Sequence, residues 1–185
     1  MSLWGNDIKP KNLTDEEKKE VYATAQGWVR EAGSILSGNG NPNADPEVLV
    51  AIGGLATNMG SANITEIEFV TTSIGEAAGG NIDVRVRFNE RVDITGTPQV
   101  TVTNSQAGGG ADATFTADYN SGTGTNEIVF RATIDPILGS IAENDVLSIG
   151  SNAVALNSGT IKDAGTTTNS TITNAAQTGT LTVSA

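Results

Sequence analysis

The chain has 185 residues, and none of them is cysteine or histidine. Without cysteine there is no disulfide framework, no zinc–thiolate centre and no thiol nucleophile. Without histidine the commonest general base and the commonest transition-metal ligand are missing, and most hydrolase, deaminase and metalloprotease schemes go with them. Aromatic residues are only 4% of the chain. A two-carboxylate glycosidase needs no histidine, but its cleft normally has aromatic walls, so this chemistry finds little support. Basic residues are also scarce: 10 Lys and Arg against 21 Asp and Glu leave a formal charge of -11. Binding to phosphate backbones draws its affinity from clustered Lys and Arg, so a nucleic-acid partner is not expected. Long apolar runs are missing too. Nothing approaches the roughly 20 residues of a membrane span, and "MSLWGNDIKPKNLTDEEKK" lacks the apolar stretch of a secretory signal. The expectation is a soluble protein made in the cytoplasm, with no membrane partner and no catalytic activity.

Two compositions meet near residues 57–63, which predicts an N-terminal unit over residues 1–60 and a larger domain over residues 61–185. Up to Gly60 there are 5 basic and 8 acidic residues, a net of -3; after it there are 5 and 13, a net of -8. The acidity belongs mainly to the second part, where its plainest reading is a solvated surface. In the first part Thr14 precedes "DEEKKE", with Glu17 three places on. An N-cap residue, a capping-box partner and acids in the first turn predict a short helix over about Asp15–Glu20. "VYATAQGWVRE" is β-branched and aromatic and is interrupted by "AQG", so it predicts strand, turn and strand. "SGNGNPNADP" reads as a loop, and "EVLVAIGGL" as a buried strand.

The second part repeats a period of two. In residues 81–88, "NIDVRVRF", Ile82, Val84, Val86 and Phe88 point one way, while Asp83, Arg85 and Arg87 point the other. Ile67 and Phe69 share a face, as do Val100 and Val102, then Phe115, Ala117 and Tyr119, then Ile128, Phe130, Ala132 and Ile134. "DVLSI", "NAVAL" and finally Leu181 and Val183 follow, with Gly-rich turns "AGGGAD", "SGTGTN" and "AGTTTN" among them. Short alternating strands at this spacing predict a mainly β chain, an antiparallel β-sandwich behind a small α+β unit. The stretch "VRFNERVDITGTPQVTVTN" (86–104) reads as a core strand, a short acidic connection and the next strand, with Gly96 and Pro98 shaping the crossing. Arg85, Arg87 and Arg131 are expected on an exposed strand face, in cross-strand pairs with Asp or Glu.

"VRVRFNERVDITGTPQVTVT", "ATFTADYNSGTGTNEIVFRATI" and "IGSNAVALNSGTIKDAGTTT" occur in the order found in an Ig-like repeat of giant cyanobacterial surface proteins, the SwmB-type repeat, and residues 64–185 resemble it. The resemblance implies an Ig-like sandwich with an adhesive or spacer role and no catalysis. "LWGN", "KPKNLTDEEKKEVYATAQGWV" and "PEVLVAIGGL" resemble an N-terminal module of virion structural proteins from large myophages that infect cyanobacteria. Together the two resemblances imply a virion protein assembled in the host cytoplasm and decorating a capsid. Its partners would be other virion proteins, above all the major capsid protein, with homo-oligomers as a further option. The alternative is a receptor- or glycan-binding module of a tail fibre or cell surface, with a host-surface glycan as partner.

The residues expected to dock on a particle are Trp4, Leu13, Tyr22, Trp28, Val48 and Val50, because buried aromatic and aliphatic anchors dominate interface energetics. Trp28 has a second reading as the anchor of a small core. No cofactor is required by the sequence. Ca²⁺ is the one metal its oxygen-rich turns suit, with Glu90, Asp93 and Asp145 as candidate ligands. No segment matches an EF-hand loop, and isolated acids in β-turns usually serve the turn itself.

Overall fold

A computed structural model describes residues 13–24, 27–34, 41–43, 46–51, 61–177 and 179–185. Trp4, the side chain of Val50, most of "SGNGNPNADP" and the boundary at Gly60 lie outside the described residues.

The chain begins with a helix, α1 (Asp15–Glu20), that its caps specify. The Glu17 N–H donates to Thr14 Oγ1 at 3.3 Å, and the Thr14 N–H donates back to Glu17 Oε2 at 2.8 Å. Asp15, Glu16 and Glu17 occupy the first turn and Lys18 and Lys19 the last, each sign at the helix end that favours it. The β-branched Val21 ends the helix and opens β1 (Val21–Thr24), which pairs antiparallel with β2 (Gly27–Arg30) as the sequence predicts. A third strand, β3 (Glu47–Ala51), adds to β2 across a bulge at Trp28 and Val29. Val21, Ala23 and Trp28 form a small apolar cluster, with Leu13 and Leu49 packed against it. The expectation of a buried strand fails for the described part of β3: among the described residues it is the edge of a three-stranded sheet, and Val48 is 45% exposed, while residues 52–55 of that stretch lie outside the described residues.

The larger part is one curled sheet of ten strands: β4 (Ile64–Phe69), β5 (Ile74–Gly75), β6 (Gly80–Thr95), β7 (Gln99–Asn104), β8 (Thr114–Ser121), β9 (Thr125–Ile134), β10 (Val146–Ser148), β11 (Val154–Ala155), β12 (Thr160–Asp163) and β13 (Leu181–Ser184). Along the sheet the order is β12-β6-β9-β8-β7-β10-β13-β5, with β4 also on β6 and β11 also on β7. The β13–β5 pair is parallel and the other ladders are antiparallel. At the far end of this order, Gly75 bridges Gly79, which directly precedes β6. Inside the curl lies a continuous core. Ile82, Val84, Val86, Val100, Val102, Ile128 and Phe130 meet Leu147, Ile149, Ile161, Leu181 and Val183, all essentially free of solvent. The alternation read from the sequence therefore picks out the core face correctly.

The stretch 86–104 differs from its reading. No acidic connection follows Phe88, because β6 is 16 residues long and runs on to Thr95, and Val92 is fully buried. The strand survives because it changes partners. Residues 84–88 pair with β4, residues 92–95 pair with β12 on the same edge, and the ladder with β9 slips between Arg87 and Val92. In the gap, Asn63 donates its N–H to Asn89 Oδ1 at 2.6 Å, and the Asn89 N–H donates to the Asn63 carbonyl at 3.0 Å. Only residues 96–98 form the turn. Gly96 has φ 69°, and a side chain there would come within 2.8 Å of Gly159 Cα, so the crossing needs glycine.

Candidate functional site

The residues expected to dock on a particle are placed very differently by the fold. Leu13 is half-buried against the small cluster, and Trp28 is its centre, 4% exposed, with Nε1 lacking a hydrogen-bond partner among the described residues. Tyr22 is half-buried, and the Arg91 guanidinium lies over its ring, 4.7 Å from the centroid. Of the side chains described, Val48 alone is openly displayed. Trp28 thus serves the small core, the second of its two readings, and among the described docking candidates the exposed side chain is Val48 on the edge strand β3.

The same part is fastened to the large sheet by polar contacts. Asn126 Nδ2 donates to the Val21 carbonyl at 3.1 Å, and Arg87 Nη2 reaches the Asp15 carbonyl at 3.5 Å. Lys18 pairs with Glu66 at 3.3 Å, and Arg91 pairs with Glu31. Beneath α1 these contacts join a ladder across β4, β6 and β9. Arg87 pairs with Glu66 at 2.5 Å, Glu68 at 2.8 Å and Glu127 at 3.2 Å, and Arg85 pairs with Glu68 at 2.5 Å. Further along, Arg131 holds Asp83 with two bonds of 2.7 Å. The cross-strand pairing expected of these arginines is present, but exposure is not. Arg85 and Arg87 are buried, and only Arg131 keeps an open side chain. Covering the outer sheet face with α1 is a long-range event that a period of two cannot announce.

Where the small unit meets β6 there is a cavity of about 390 Å³, lined by Tyr22, Ala23, Glu90, Arg91, Asp163 and neighbouring threonines. Glu90 Oε1 is buried with no partner among the described residues. Burial first, and the negative charge of Asp163 second, push the Glu90 carboxyl up to about 7. Asp163 is itself buried and committed: its Oδ1 accepts from the Ala62 N–H at 2.7 Å and from Ser170 Oγ at 3.2 Å.

The three Ca²⁺ candidates do not come together. Asp93 accepts the Gly165 N–H at 2.9 Å. Asp145 is fully buried and receives Gly108 N–H on Oδ1 at 2.7 Å, with Asn104 Nδ2 and the Ala142 N–H on Oδ2 at 2.8 and 2.9 Å. Burial pushes its carboxyl up, but these donors outweigh that and hold it below the usual carboxylate range. Asp145 is thus a clasp between two loops. Among the described residues no group of three or more carboxylates is arranged to hold an ion.

Comparison with protein families, with curated proteins and with solved structures finds no match.

Proposed function

We propose that the chain is a non-enzymatic structural protein of a tailed-phage virion, with an Ig-like sandwich projecting from the particle and the N-terminal unit seated on it, most simply on the capsid shell. The carrying observation is that the three segments resembling the Ig-like repeat contain the β6–β7, β8–β9 and β11–β12 strands of one sheet around one core. The seat is the edge strand β3. Among the described residues β3 pairs with β2 alone, and Val48 is exposed, so its outer edge and an apolar contact suit docking by strand addition. Many copies on a lattice compensate for a small contact each.

Replacing Val48 by Asp tests this seat. Because the residue is exposed, the thermal midpoint should hold to within about 0.5 kcal/mol of stability, while the charge should block an apolar contact. The expected outcome is wild-type folding with occupancy lost on purified particles. Full occupancy by V48D excludes β3 as the seat.

A further inference from the structure

A slot opens at the edge of the sheet, between β4 and the C-terminal residues 171–177. The two stretches run parallel and keep the same sequence offset at both ends. At one end Asn63 bridges Thr171, whose N–H donates to the Ala62 carbonyl at 2.7 Å. At the other, the Gln177 amide, turned so that its oxygen faces β4, accepts the Phe69 N–H at 3.2 Å. Between these ties the stretches part around a cavity of about 600 Å³, lined by residues 64–68 on one side and by 173–177 and Gly179 on the other.

Hydrogen bonds on the far side of the slot keep it open. Residues 171–177 are held from their far side: the Gln177 N–H donates to the Ile149 carbonyl at 2.9 Å, the Asn152 N–H to the Asn174 carbonyl at 3.0 Å, and Asn174 Nδ2 to the Gly150 carbonyl at 3.1 Å. Across the slot, β4 presents a usable edge. The Val70 N–H donates to the Asp83 carbonyl at 2.8 Å, which sets the phase of the β4–β6 ladder. In an antiparallel ladder the peptide groups alternate, so Glu66 and Glu68 turn theirs to β6 and Ile67 turns its N–H and C=O outward, toward the slot. Five residues of β4 line it, roughly 16 Å of strand at about 3.3 Å per residue.

We propose that this slot receives a basic, extended segment of a partner protein as an added strand beside β4. Backbone pairing with Ile67 supplies the register. Charge selects the occupant: the lining holds two carboxylates, Glu66 and Glu68, and no Lys or Arg, in a molecule of charge -11. Glu66 already pairs with Arg87 and Lys18, and Glu68 with Arg85 and Arg87, yet their side chains stay 33% and 25% exposed, so an incoming cation adds a partner to acceptors still open to water. This site is separate from β3 and stands whether or not the chain belongs to a particle.

The experiment is amide exchange by NMR on the full chain, with an N-acetylated hexapeptide of alternating lysine and threonine as probe and the glutamate–threonine peptide as control. At about ten times its Kd the basic peptide should slow exchange at Ile67 about tenfold, by mass action. Ala176 is exposed and lines the slot. Ala176→Trp should therefore fill the slot without unfolding the chain and remove the protection. Three results overturn the proposal: no protection at Ile67, equal protection by the acidic peptide, or undiminished binding by the folded A176W variant.

Discussion

Glu90 and Asp145 show how environment sorts two carboxylates that look alike in the sequence. Glu90 has a buried oxygen without a donor among the described residues and a second carboxylate nearby, so the fold favours its neutral form. Its carboxyl moves from 4.5 to about 7, so the folded chain is most stable, as far as this group goes, below about pH 4.5, and loses stability as pH rises through 7. The full shift would correspond to roughly 3 kcal/mol, and solvent screening of a half-buried group reduces that to about 1–2 kcal/mol. Glu90→Gln is accordingly expected to flatten the stability profile between pH 5 and 8 and to stabilise the protein at pH 8 by about 1–2 kcal/mol, read from denaturant melts. Asp145 has the opposite sign. Its folded carboxyl lies below 3.8, so its contribution is present above that value and is lost as pH falls further. Asp145→Asn puts an amide where three donors converge, and a loss of about 3 kcal/mol at neutral pH is expected, with a shallower acid limb. A sequence shows an acid in a turn; it does not show how many donors the rest of the chain will aim at it.

At the scale of elements, what was legible is what is local. The capping box of α1, the antiparallel β1–β2 pairing and the face alternation of β6 to β9 each depend on residues close in sequence, and each forms as read. What was not legible depends on partners far along the chain. The strand β6 outlasts its reading because β12, more than 60 residues later, takes over the edge that β4 leaves. Arg85 and Arg87 are buried because α1 covers their face. That burial carries a cost when it is broken from one side. Arg87→Met would leave Glu66, Glu68 and Glu127 without their shared cation, and a destabilisation of about 2–4 kcal/mol is expected, below the fully buried case because Glu66 stays a third exposed. The measurement is a chemical melt. A double cycle with Glu68→Gln should show a coupling of more than about 0.5 kcal/mol, since the two side chains are in direct contact.

For the whole molecule, two apolar clusters of unequal size account for the architecture: a small one around Trp28 and a continuous one inside the curled sheet. Among the described residues the small cluster has three buried members, and polar contacts fasten its unit to β4, β6 and β9. Tyr22 and Trp28 are spent on this internal work. Among the described residues, the strand edges β3 and β4 are the two surfaces proposed to meet partners. In the virion reading, β3 meets the particle and the sheet points away from it. Cryo-electron microscopy of purified particles tests that reading most directly. The account predicts repeated density for the chain on the shell, with β3 against the shell and the curled sheet outward. Particles that lack the chain, or carry it with the curled sheet against the shell and β3 in solvent, would contradict it.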